Sequence, residues 1–237
     1  MVKYLCLCFS LKGLSRIQIA VDGPAGAGKS TIAKILAEKL GFLYIDSGAM
    51  YRAITYLALE NGVSCEDEEA LSKIALETEI DFVITKTGEQ LVICNGQDVT
   101  ALIRDPQINE KVSLVSQHPG VRQALVKKQQ ALAKRRDVVM DGRDIGTVVL
   151  PKADCKIFLT ASLAERARRR HLELREKGYL QEYDTIKTEL ERRDKLDEGR
   201  EVGPLSIASD AVVIDTTGIS LGDVVLTIMR IYEQKMG

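Results

Sequence analysis

The run Gly23-Pro24-Ala25-Gly26-Ala27-Gly28-Lys29-Ser30, with Thr31 after it, fits the spacing G-x-x-x-x-G-K-[ST] of a phosphate-binding P-loop. Each residue type has a physical task at its place. The glycines let successive backbone N–H groups turn inward around a polyphosphate. A helix starting at the end of the run turns the positive end of its dipole on the same anion. The Lys29 ammonium can reach the β- and γ-phosphates, and the Ser30 hydroxyl can ligate Mg2+. Residues 23–31 are therefore expected to hold a nucleoside triphosphate. Asp141, closing a short apolar run, is a candidate acid beside the metal, although an Asp at a strand end also serves as a turn former.

Three further groups combine acids with arginines. Asp46-Ser47-Gly48 is followed by Tyr51-Arg52, Asp141-Gly142-Arg143-Asp144 is contiguous, and Arg193, Asp197 and Arg200 close a charged segment. A guanidinium is a planar fork that matches phosphate oxygens, while a nearby carboxylate can hold the fork or accept from a sugar hydroxyl. One such pair alone is an ordinary surface ion pair. Three groups after strands or in a lid-like segment point instead to a second phosphate site.

These side chains need a scaffold, and the hydrophobic pattern supplies one. Residues 17–22 (IQIAVD) read as a strand ending at the glycine-rich turn, and residues 29–40 as a helix with Ile32, Ile35, Leu36 and Leu40 on one side. Residues 42–45 read as a second strand and 48–59 as a second helix. The short apolar runs 137–140, 156–159 and 211–214 suit buried parallel strands, and Leu221, Val224, Val225, Ile228, Met229 and Tyr232 give a last helix one apolar face. Alternating strands and helices predict an α/β fold with helices on both sides of a parallel sheet. Residues 80–93 break the rhythm as an antiparallel hairpin around Gly88, inside an insertion. In residues 164–200, 21 of 37 are charged, 11 basic and 10 acidic, which predicts a mobile helical excursion with little apolar burial.

Composition excludes several classes. The chain has 237 residues, enough for a substantial core, and its 33 Lys+Arg against 34 Asp+Glu lacks the basic excess of a nucleic-acid binder. The cluster Arg166, Arg168, Arg169 and Arg170 has Glu165, Glu173 and Glu176 close by, so it reads as a solvated helix face or the start of a lid. No apolar run approaches the ~18–20 residues needed to span a bilayer. The five cysteines (Cys6, Cys8, Cys65, Cys94, Cys155) form no C-x-x-C pair, and His118 and His171 have no partner cysteine nearby; reduced thiols in a cytoplasmic protein are expected. Residues 1–14 hold an apolar stretch without a small-x-small cleavage site, interrupted by Lys12. They read as an extension without a functional role, a start nearer Leu14 being the alternative. A nucleotide switch should carry N-K-x-D for guanine, which is absent, and Asp215-Thr216-Thr217-Gly218 fits D-x-x-G without a partner motif.

Taken together, GPAGAGKST, DSGAMYRA, DGRDIGTVV and RRDKLDEGREVGPL resemble, in this order and spacing, the segments of bacterial-type cytidylate kinases. The resemblance runs from about Ile17 to the C-terminus. It implies a P-loop kinase sandwich with a central parallel sheet, an inserted small antiparallel β-containing domain at the monophosphate site and a helical lid. It also implies transfer of the γ-phosphoryl group of ATP to CMP or dCMP with Mg2+, in a monomer without nucleic-acid or membrane partners. Carried over by residue, it places Lys29, Arg143, Arg193 and Arg200 at the reacting phosphates, and Arg52, Arg143 and Arg200 on the acceptor phosphate with Ser47 beside it. Asp197 faces the ribose, Ser113, Arg122 and Asp144 read cytosine, and Ser30 and Asp141 take the metal. The implied division is an extension over 1–16, a core of 17–60, 119–163 and 201–237, an insertion over about 61–118 and a lid over about 164–200. The alternatives are another nucleoside monophosphate or small-metabolite kinase, or a nucleotide-dependent ATPase switch.

Overall fold

In the computed structural model, residues 16–85, 88–176 and 178–237 are described. The N-terminal extension therefore lies, apart from Arg16, outside the described residues.

Five short strands form one parallel sheet: β1 (Gln18–Asp22), β2 (Leu43–Asp46), β6 (Val138–Gly142), β7 (Cys155–Thr160) and β8 (Val212–Asp215). Their spatial order is β2-β6-β1-β7-β8, with every neighbouring pair parallel. The pleat sends alternate side chains to opposite layers. Ile19 and Val21 of β1 thus pack on the layer of α1 (Lys29–Leu40) and α8 (Leu221–Met236), while Ala20 faces the other core. That other layer is built from α2 (Ser47–Glu60), α3 (Glu68–Glu77), α4 (Pro106–Val115) and α5 (Pro119–Ala133). Both faces of the sheet are covered, which is why its strands read as continuous apolar runs.

The hairpin around Gly88 is present as β3 (Ile80–Ile84) against β4 (Gln90–Cys94), and a two-residue strand, β5 (Gln97–Asp98), adds a third member that the sequence pattern did not reveal. Helices α3, α4 and α5 are further elements that the apolar pattern does not reveal. Local signals for two of them exist: Asp67 and Asp105 cap α3 and α4, accepting from Ala70 N and Gln107 N. The charged excursion is two helices, α6 (Leu163–Glu176) and α7 (Tyr183–Glu198), which share a small apolar cluster of Ala167, Ile186 and Leu190 with Ala25 of the P-loop. No helix among the described residues is long and apolar enough to cross a membrane.

Candidate active site

The carboxyl ends of the parallel strands all lie on one edge of the sheet, where ligands gather in open α/β folds. Register places Asp22 of β1 opposite Gly142, and Asp46 of β2 opposite Asp141, so three carboxylates line up there. The P-loop leaves from the same edge. Gly23 has φ 146, and a Cβ on it would stand 1.9 Å from the Leu159 carbonyl oxygen of β7, so the turn closes only with glycine. Gly28, at φ 87, hands the chain into α1.

Lys29 is buried, and its Nζ donates to the Pro24 carbonyl at 2.7 Å. Burial, then Arg143, pushes its ammonium well below the ordinary lysine range, against the pull of Asp141. A polyphosphate in the loop would oppose that shift. Ser30 Oγ donates to Asp141 Oδ2 at 2.9 Å, and the Tyr44 hydroxyl donates to Asp141 Oδ1 at 2.7 Å. Ser47 Oγ is held by the Asp141 carbonyl at 2.6 Å. Burial raises the Asp141 carboxyl, with Asp46 adding to the effect. Asp46 itself caps α2 through Ala49 N at 2.8 Å and takes Arg52 at 2.7 Å and Arg104 at 3.2 Å. Its burial works against the charge, but the two arginines outweigh it and hold the carboxyl below its usual range.

Deeper along the same cavity the arginines converge. Arg143 Nε donates to Asp197 Oδ2 at 2.6 Å, and Arg200 pairs with Asp197 Oδ1 and reaches Ser116 Oγ at 3.0 Å. Burial and the neighbouring Arg143 push Arg193 down to about 10, a sign of crowded positive charge. Nε of Arg52, Arg193 and Arg200 is buried without a hydrogen-bond partner. At the far end Arg122, only 1% exposed, pairs with Asp144, donates to the Ser116 carbonyl at 3.3 Å and stacks over the Tyr51 ring at 5.6 Å. Burial raises the Asp144 carboxyl despite that pairing. One cavity of about 200 Å3 connects Lys29 and Ser30 with Ser47, Arg52, Ser113, Asp144 and Asp197.

A family model described as cytidylate kinase matches residues 19–234, nearly the whole chain. The chain belongs to the cytidylate kinase family. A relative from Geobacillus sp. strain WCH70 named cytidylate kinase is 52% identical over 223 residues, covering 94% of this chain and 99% of that one. Another of that name, from Bacillus velezensis, is 53% identical over 220 residues, covering 93% and 98%. Among solved structures, a shikimate kinase from Acinetobacter baumannii superimposes with TM-score 0.47 at 15% identity over 92% of this chain and 94% of that one, too distant a likeness to add to the argument.

Within this cytidylate kinase chain, the structure brings all the substrate and phosphate residues expected from sequence to the walls of one cavity, except that Gly23, Pro24, Ala27, Gly28 and Thr31 serve the loop behind it. Sequence reasoning missed Tyr44, Ser116, Arg104 and the role of Asp22. Tyr44 carried one usable signal, a hydroxyl two residues before the strand-end Asp46 and so on the same face of β2. The basic cluster of α6 divides. Arg166 is buried, donates to Ala25 O at 3.0 Å and pairs with Asp194 of α7 at 2.6 Å, tying the two helices to the P-loop. Arg168 is exposed on Glu165, and Arg169 reaches Thr216 in the D-x-x-G segment, at 2.9 Å to its hydroxyl and 2.7 Å to its carbonyl.

Proposed function

We propose that the chain transfers the γ-phosphoryl group of ATP to CMP or dCMP by direct in-line transfer, releasing ADP and CDP or dCDP. One observation carries this reading: a single cavity runs from the P-loop, past four arginines, to the buried Arg122–Asp144 pair. Such a cavity offers a donor end, a cationic middle and a polar reader for a base. The triphosphate lies in the loop of residues 23–31, with Lys29 on its β- and γ-phosphates. Arg52, Arg143 and Arg200, with Ser47, hold the acceptor phosphate, and Arg193 stands at the transferring group. Asp197 accepts from the ribose hydroxyls while keeping Arg143 and Arg200 aimed. Cytosine presents an N4 amino donor and O2/N3 acceptors, which suit the Asp144 carboxylate on one side and Arg122 with Ser113 on the other. Uracil places an oxygen where the amino group was, and that oxygen faces a carboxylate.

In phosphoryl transfer, charge spreads over the equatorial oxygens, so the protein's work is positioning and electrostatic stabilisation. The acceptor phosphate oxygen is already anionic at neutral pH, so no side chain has to act as a strong base. Residues about 164–200 serve as the lid, residues about 61–118 as the acceptor-side insertion, and the remainder of 17–237 as the core. Closure excludes water, which would otherwise compete as acceptor. No step of the proposed transfer needs a second copy, so a monomer suffices.

Ser30 and Asp141 fit Mg2+: both offer hard oxygen donors, already 2.9 Å apart, and Mg2+ commonly takes one carboxylate with the remaining ligands from phosphates and water. When bound, the ion supplies Lewis-acid neutralisation of the phosphate charge. Asp141→Asn is expected to raise the Mg2+ concentration needed for half-maximal turnover by about tenfold, judged from the usual cost of weakening a metal's surroundings. A Mg2+ titration coinciding with that of the unaltered protein would remove Asp141 from the metal site. The reaction itself is tested by ADP release across CMP, dCMP, UMP, AMP and GMP. Turnover strongest with CMP and dCMP is the expected outcome; hydrolysis indifferent to any monophosphate would leave a nucleotide switch.

A further inference from the structure

Asp22 ends β1 one residue before the P-loop, and none of the phosphate chemistry above gives it a task. It is 5% exposed, yet both its oxygens are engaged: Oδ1 accepts the backbone N–H of Ile145 at 2.8 Å, and Oδ2 that of Gly146 at 2.7 Å. Those two N–H groups open the single π-helical turn Ile145–Val149. The first N–H groups of a helical turn have no acceptor within it and are normally met by the side chain at the N-cap. The N-cap here is Asp144, a residue type well suited to the task, but its side chain makes no capping bond and pairs with Arg122 instead. The cap comes from a different strand, 123 residues away in sequence. The fit is close: a Cβ on Gly146 would stand 3.3 Å from Asp22 Oδ2 and 3.1 Å from Lys156 Cδ.

We propose that Asp22 is a positioning residue for the acceptor half of the site, capping the Ile145–Val149 turn from β1 so that the Asp144 carboxylate stays free to hold Arg122 and face the base. Arg143, one residue earlier, is aimed by the same anchored turn. The inference rests on the acceptor reading given above. It also links the two halves mechanically, because the residue after Asp22 is the first glycine of the phosphate loop. Burial pushes the Asp22 carboxyl up to about 6, with Asp144 adding to the rise and Lys29 and the two backbone donors opposing it. Above neutral pH it is therefore ionised, and both oxygens can accept.

Asp22→Asn keeps the shape but sets an amide N–H against one of the two backbone donors. At about pH 7.5, KM for CMP is expected to rise about tenfold, the usual consequence of losing one charge-assisted hydrogen bond, while KM for ATP stays within about twofold. Gly146→Ala presses on the same contact from the other side and should move KM in the same direction by less. If Asp22→Asn does not fold, Gly146→Ala decides by the same split. Equal rises in both KM values, or no change in either, would overturn the proposal. Turnover of the unaltered protein with CMP separately tests the acceptor reading. If another monophosphate proves to be the acceptor, the same split is read on that one.

Discussion

Lys29→Ala is expected to lower kcat by about a thousandfold, the scale of losing a central electrostatic contact to the transition state, without unfolding the chain. In the proposed reaction its ammonium is the charge brought to the transferring phosphate, and among the described residues the Nζ makes one hydrogen bond, to the Pro24 carbonyl. Its removal takes a positive charge from beside Asp141, whose carboxylate keeps its hydrogen bonds from Ser30 and Tyr44. It also relieves a buried cation beside Arg143 and Arg193, both of which push the lysine down. Thermal melting should therefore change little or rise slightly, while ADP release with saturating substrates collapses. Activity near that of the unaltered protein would show that residues 23–31 do not hold the reacting triphosphate.

Asp144→Ala is the second large effect and separates recognition from folding. Arg122 is 1% exposed and would lose its carboxylate, which for a buried pair costs about 3–5 kcal/mol of stability. A lower melting temperature is thus expected. In the fraction that remains folded, kcat/KM for CMP should fall by about a hundredfold or more, because a site built to bind a polar group loses its partner. KM for ATP should stay close to its original value, since the nucleotide loop is at the other end of the cavity. The preference for CMP over UMP should shrink as well, because the carboxylate proposed to face the N4 amino group is gone. Loss of CMP and ATP use in equal measure would make Asp144 a structural residue only.

How much of this was legible in advance differs by residue. The P-loop motif was, because its geometry is local: glycines at fixed spacing within nine consecutive residues, with a strand just before them and a helix starting inside them. The parallel sheet was legible as well, since strands covered on both faces have to be apolar throughout. The helices α3, α4 and α5 were not, as their apolar faces pack on α2 and on one another rather than on a strand whose pattern announces them. The charge of residues 164–200 marked a helical stretch with little apolar surface, and α6 and α7 share only a small apolar cluster. Composition could not say that Arg166 turns inward to Ala25 and Asp194 while Arg168 stays in solvent.

The amino-acid sequence by itself determined that the chain carries a P-loop motif between a strand and a helix, that the frame is α/β, and which family's motifs it holds. Those properties reside in short contiguous runs whose backbone geometry follows from residue type. Only the tertiary structure decided which acid serves which base. Ser30 meets Asp141 across 111 residues, Arg143 meets Asp197 across 54, and Asp22 caps a turn across 123. Strand order sets those partnerships, and burial sets their consequences, since a carboxylate at the crowded edge of a covered sheet is charged or neutral according to the neighbours that packing gives it.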